Sequence, residues 1–338
     1  MGEGDRLLFD IKFKKQKREN MVFLIFIVSF TTCFIGFPIV IPRLKRAGIV
    51  GMNMNSKSKE EIPEMGGIVI AAGFGAGMLF IIFLRTFFDL FLSVSLSSIL
   101  AVLSTVLIVV IIGVFDDLIS MRQGIKAIIP VFAALPLMAL KEGYSMMKIP
   151  FVGVIEFGIF YPLVLVPLGI TGAANAANML AGFNGLEVGM GVVAVGTLAV
   201  IAYLKGITIS LLISMALLGA LVAALYYNWY PAKILVGDVG TLSIGAVIAC
   251  IVIVGNYETA GVILVIPYVV DFLIKAKHGF PYSFGVYREG KLYCPDNGPV
   301  GLCQLIMKVC GGIRERNLVL VLIGIEAVFG VIAILFYI

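Results

Sequence analysis

VLIVVIIGVFDD, residues 106–117, is the stretch that decides the fold. An unbroken apolar run ends on two adjacent carboxylates. Counted back to residue 92, the run would form a helix of about 36 Å at about 1.5 Å per residue, enough to cross a hydrocarbon layer of about 30 Å. The same test applied outward along the chain marks spans at 21–41, 65–84, 127–140, 157–174, 187–204, 207–226, 241–255, 259–274 and 317–337. With 92–115 these make ten. The spacing therefore predicts an all-α fold, a polytopic integral membrane bundle of about ten transmembrane helices. Residues 1–20 read as a basic N-terminal tail and 21–338 as a single transmembrane domain.

Composition agrees with that fold. The 338 residues are 61% hydrophobic and 13% charged, against about 45–50% and about 25% in ordinary soluble domains. So much apolar surface needs lipid to solvate it. The net charge of +5 suits anionic head groups or an anionic substrate. It does not suggest nucleic acid, because most basic residues fall in short loops. Lys12, Lys14, Lys15, Lys17 and Arg18 precede an apolar run too long for a signal peptide and without a small-residue cleavage site, so the first span is expected to remain. The five cysteines and single histidine show no metal-ligand or disulfide spacing.

Ten spans put both termini on one side and the loops 42–64, 116–126, 175–186, 227–240 and 275–316 on the other. Those five loops hold 15 Lys/Arg, against four in the opposing turns and six in the N-terminal tail. The positive-inside rule makes the five-loop face cytoplasmic in a multi-pass cell-membrane protein. The same loops carry the polar residues that could do chemistry.

Three constellations stand out there. Asp116 and Asp117 are like charges at a helix C-terminus, where the macrodipole opposes them, so an adjacent pair suggests a cation or a proton transfer. Asn175-Ala-Ala-Asn178-Met-Leu-Ala-Gly182-Phe-Asn184-Gly185-Leu-Glu187 places three asparagines and two turn-forming glycines directly after a span. Leu235-Val236-Gly237-Asp238 is weaker alone and gains meaning from sharing their face. Asp116, Asp117, Asp238 and Asn178 together form an all-oxygen set, suited to Mg²⁺ or to Mn²⁺ in its place. Lys126 could offer positive charge to a phosphate. Phosphoryl transfer on a metal-bound diphosphate is the natural chemistry of such a set.

NAANMLAGFNGLE (175–187), with VFDD (114–117) and VGD (236–238), resembles the polyprenyl-phosphate N-acetylhexosamine-1-phosphate transferases. The wording LAGFNGLE is most similar to the eukaryotic and archaeal branch, which makes GlcNAc-diphosphodolichol. The resemblance implies that Asn178 and Asp238 bind the metal. It implies that Asp116 and Asp117 are catalytic, standing beside the acceptor phosphate and the metal with one as proton acceptor, and that Lys126 meets the donor diphosphate. It also implies that Glu64, Gly182, Asn184 and Leu235 belong to the nucleotide site, with Asn175 a substrate-binding polar residue of the same loop as Gly182 and Asn184. Three departures accompany it. Leu235 replaces an aromatic residue, Asn53 stands where relatives often carry Asp, and the Arg/His-rich motif of the last loop gives way to Lys277-His278-Gly-Phe-Pro-Tyr. His278 is thus a candidate sugar or phosphate contact.

The expected reaction moves N-acetylglucosamine-1-phosphate from UDP-GlcNAc to a polyprenyl, dolichyl-type phosphate lipid with release of UMP, as the first step of lipid-linked oligosaccharide synthesis. Alternatives are another UDP-N-acetyl sugar, undecaprenyl phosphate as acceptor, or a secondary transporter. A transporter would predict repeats and mid-membrane charges. A homodimer is compatible with the sequence.

Overall fold

A computed structural model describes residues 3–55, 59–143, 146–149 and 153–338. Twelve α-helices are present among them: α1 (Glu3–Arg46), α2 (Gly67–Phe88), α3 (Leu96–Ile119), α4 (Gln123–Ile128), α5 (Leu135–Ala139), α6 (Val166–Met179), α7 (Leu186–Lys205), α8 (Thr208–Asn228), α9 (Gly237–Gly255), α10 (Glu258–Lys277), α11 (Leu302–Val309) and α12 (Glu315–Tyr337). Three two-stranded antiparallel hairpins lie between helices: β1 (Val50–Met52) with β2 (Glu61–Pro63), β3 (Met146–Ile149) with β4 (Gly153–Glu156), and β5 (Val286–Arg288) with β6 (Lys291–Tyr293). The chain is helical from Glu3 onward, so the residues expected as a basic tail lead directly into the first span.

Among the described residues nine helical segments are long and apolar enough to cross a membrane. The expected fourth span, 127–140, is built differently. Gln123–Ala139 is a shorter apolar helical segment in which a 3₁₀ stretch, Ile129–Ala134, joins α4 to α5. Pro130 and Pro136 explain the break, since each removes an amide donor and crowds the preceding turn. The segment nevertheless runs the length of α3. Near its start Lys126 pairs with Asp116 at the end of α3, and just beyond it Glu142 accepts a hydrogen bond of 2.6 Å from Ser98 in the first turn of α3. The segment thus passes beside α3 from the Asp116 end to the Ser98 end, in addition to the nine longer helices.

α9 is the central span. Buried residues make up 83% of its apolar window, against 22% for α1, which lies at the rim. The glycines of α9 and its neighbours allow the approach. A side chain at Gly245 would overlap the carbonyl of Ala173 in α6, and one at Gly67 of α2 would overlap the backbone of Gly240. Close backbone contact through small residues is the usual way to pack helices where lipid supplies no hydrophobic drive. Gly245→Val should therefore push α6 from α9, costing about 1–3 kcal/mol as overpacking does. A lowered thermal midpoint of the detergent-solubilised protein is the expected reading, and an unchanged midpoint would contradict this packing.

Candidate active site

The site begins at the first turn of α9. Gly237 adopts φ +67 and a methyl there would stand 2.5 Å from Asp117 Oδ2, so only glycine lets the chain turn into the helix beside that carboxylate. Free amides at a helix start need acceptors. Asp117 supplies them from α3: Oδ1 accepts from Asp238 N at 2.7 Å and Oδ2 from Val239 N at 3.2 Å.

Asp116 turns the other way. Its Oδ1 accepts from Met121 N at 2.9 Å and shapes the link to α4, while its Oδ2 pairs with Lys126 Nζ at 2.5 Å. The same ammonium also contacts Asp238 Oδ2. Asn178, at the end of α6, accepts from Thr241 Oγ1 of α9 at 3.0 Å. α3, α4, α6 and α9 thus bring Asp116, Asp117, Lys126, Asn178 and Asp238 to one place.

Lys126, Asn178 and Asp238 line a cavity of about 1630 Å³. Glu64, Asn175, Gly182, Asn184 and Leu235 line it too. Glu64 follows β2, and burial, reinforced by the neighbouring Asp238 carboxylate and opposed by Lys126, pushes its carboxyl above the usual range. Leu235 is fixed by its backbone, donating to Pro63 O at 2.8 Å and accepting from Gly66 N at 2.9 Å. Asn175 spends its amide on Ala127 O and Thr171 O, both at 2.9 Å. His278 stands apart. It is exposed, its Nδ1 lies 2.8 Å from Ile274 O of its own helix, and it faces a smaller surface pocket beside Pro281 and Gln304.

Three side chains hold the loop 180–185, two of them from distant parts of the chain. Glu187 accepts from Gly182 N at 2.5 Å, Asn55 donates to Gly182 O at 2.7 Å, and Glu315 at the start of α12 accepts from Asn184 N at 2.9 Å. Gly182 takes φ +120 with the Phe284 ring against it. Asn184 is 3% exposed, and its side-chain Nδ2 has no hydrogen-bond partner within the protein, which leaves a buried donor in the cavity wall. Sequence reasoning did not single out Glu315 or Asn55. Glu187 ended the quoted motif but was given no role. Lys275, Tyr268 and Glu326 also line the cavity, and of these only Lys275, four residues after Asp271, carries a sequence spacing that could have marked it.

The donors of the cluster are hard oxygens. Among the described residues no three His, Cys, Asp or Glu side chains meet closely enough to hold an ion alone. Asp238 and Asn178, with Asp116 behind them, offer a partial set that phosphate oxygens would complete, which is how Mg²⁺ is usually bound. The ammonium held by two carboxylates shows that the position attracts a cation.

Among the described residues, a bundle with nine helices able to cross a membrane carries an acid, amide and ammonium cluster at one end of a deep cavity. Residues 99–256 match the model of glycosyl transferase family 4, and the chain belongs to that family. It is 41% identical over 325 residues, 93% of this chain and 96% of the relative, to a Saccharolobus solfataricus protein placed by name among the UDP-N-acetylglucosamine–dolichyl-phosphate N-acetylglucosaminephosphotransferases. The Dictyostelium discoideum protein of that name is 29% identical, with 83% of this chain and 79% of the relative covered. A Bacillus subtilis protein named for undecaprenyl-phosphate N-acetylglucosaminyl 1-phosphate transfer is 28% identical over 94% of this chain and 86% of its own length. Family 4 phosphotransferases are generally dependent on a divalent metal.

Glu315→Leu should strand the Asn184 amide, a loss of about 1–3 kcal/mol for a buried unsatisfied donor. Glu315→Gln keeps an acceptor and should recover most of it. Thermal unfolding of the two variants side by side checks this, and equal losses would refute the bond.

Proposed function

We propose that the protein transfers N-acetylglucosamine-1-phosphate from UDP-GlcNAc to a dolichyl-type polyprenyl phosphate at the cytoplasmic face of the cell membrane. The observation that carries this reading is the cavity itself. It joins the Asp–Asn–Lys cluster at one face to an apolar groove between α6, α9 and α10 that descends to Tyr161 and Glu258 at the opposite end. A diphosphate with a polar head fits the first part, and a hydrocarbon tail fits the second.

In the reaction an oxygen of the lipid phosphate forms a bond to the β-phosphorus of the donor. The bond from that phosphorus to the oxygen bridging to the α-phosphate breaks, and its electron pair leaves with UMP. The attacking oxygen is already anionic, so positioning and charge stabilisation carry the catalysis. Lys126 donates to the diphosphate, and Asp116 holds its ammonium in place. Asp117 fixes the first turn of α9 and thereby the direction of Asp238. Asn178 and Asp238 would hold Mg²⁺, whose charge, when bound, offsets that of the diphosphate oxygens. Leu235 gives the base an apolar contact, the Asn184 Nδ2 offers it a hydrogen bond, and Glu64 borders the nucleotide. The names of the archaeal and eukaryotic relatives favour N-acetylglucosamine and a dolichyl phosphate over the bacterial pairing. The reaction is the first step of lipid-linked oligosaccharide synthesis, and the later sugar additions of N-glycan assembly consume its product.

Purified protein, UDP-GlcNAc and a polyprenyl phosphate should release UMP, and EDTA should abolish the release. Asp238→Asn and Lys126→Met should each slow it by about 10²–10³-fold, the scale of losing one preorganised electrostatic contact. Release untouched by EDTA and by both substitutions would sink the proposal. A panel of UDP-sugars should show preference for the N-acetylglucosamine donor.

A further inference from the structure

Within the transferase reading, we propose that Lys275 is the cation that receives the phosphate of the lipid acceptor. The cavity-lining face of α10 carries Val262, Val265, Val269, Phe272 and Lys275. Their spacings of three and four put them on one stripe of the helix. Four are apolar and the last is an ammonium at the end nearest the active cluster. Leu168 of α6 with Ile248 and Val252 of α9 make the facing walls apolar as well. Such a groove takes hydrocarbon along its length, and the ammonium marks where an anionic head group stops.

The ammonium is built in rather than adrift. Lys275 is 6% exposed, its Nζ lies 2.8 Å from Asp271 Oδ2, and it donates to the carbonyl of Met179. Met179 directly follows Asn178, so this ammonium stands beside the metal-binding end of α6. Two partners leave one of its three N–H donors for a ligand. Among the described residues Lys126 and Lys275 are the Lys/Arg side chains that line the cavity. Lys126 already serves two carboxylates on the α3–α9 side. Lys275 faces the cluster from the groove side, where the acceptor enters. A purely mechanical role, tying α10 to the end of α6, is the competing account.

The two accounts separate in kinetics. Removing Lys275 alone would leave Asp271, which is fully buried, without its cation. The informative variant is therefore the double substitution Asp271→Asn with Lys275→Met, because replacing both members of a buried pair is tolerated far better than breaking it. Asparagine keeps an oxygen to accept from Leu302 N, a bond of 2.7 Å in the native protein. With polyprenyl phosphate and UDP-GlcNAc as substrates, the double variant should raise the acceptor KM about tenfold, as befits one lost charge-assisted contact. The donor KM should stay within twofold. Asp271→Asn alone, which frees the ammonium, should not raise the acceptor KM, and Lys275→Arg should retain most of the native value. A rise in donor KM instead would assign the ammonium to the nucleotide diphosphate. A lower thermal midpoint with both KM values unchanged would make it a strut. Either result, or any acceptor KM within twofold of native for the double variant, overturns the proposal. Wild-type UMP release, measured alongside, distinguishes that failure from a failure of the transferase reading itself.

Discussion

The amides at the start of α9 impose the constraint on which the site depends. A helix that begins inside a bundle leaves backbone donors that water would otherwise satisfy. Here two of them fall to one carboxylate from another helix, that of Asp117. Side-chain caps of this kind are worth about 0.5–2 kcal/mol, and burial raises the cost of leaving the amides unmade. The cap does more than stabilise. It fixes the backbone of Asp238 relative to α3, and α3 also carries Asp116. Successive residues on a helix point about 100° apart, so Asp116 cannot join Asp117 at the cap. It faces Lys126 instead. The adjacent pair therefore divides its labour: one carboxylate orders backbone, and the other orders an ammonium.

Such an arrangement is affordable only at one level of the bilayer. Charges near the middle of a membrane are costly, and those at span ends are not. The polar cluster sits where α3 and α6 end and where α4 and α9 begin, and each of these ends lies on the same face. Water is displaced there by protein, and electrostatic contacts strengthen as the local dielectric falls. Two aspartates around one ammonium leave an excess of negative charge. A further cation is the natural complement of that charge.

Much of this was legible in the sequence, because hydrophobic run length reports membrane spans directly. Nine runs became helices of full length among the described residues. The tenth, at 127–140, was legible as apolar but not as irregular, although Pro130 and Pro136 were in plain view. Asp116, Asp117, Asn178 and Asp238 could be grouped because helix ends on one face must be neighbours in a compact bundle. What stayed hidden were contacts that no local spacing encodes. Glu315 meets Asn184 and Asn55 meets Gly182 across separations far beyond any helical period. The lone histidine drew attention as the rarest polar residue, yet rarity says nothing about direction, and His278 bonds to its own helix. Lys275 was overlooked for the opposite reason. A lysine four residues after an aspartate looks like an ordinary surface pair, and only the packing of α10 turns it inward.

The groove and the cluster also explain each other. An apolar trench through a membrane protein would fill with lipid tails and serve nothing without a feature to hold one end. A charged cluster at a membrane edge would bind soluble phosphates equally well without a feature to hold a tail. Joined in one cavity, each restricts what the other accepts. In the proposed reaction the tail would lie along α10 and the anionic head would reach Lys126, Lys275 and Asp238. On that reading the acceptor is drawn from the bilayer laterally, and its hydrocarbon never has to enter water. At about 25 cal/mol for each Å² of apolar surface, that exposure would exceed anything a few phosphate contacts could return.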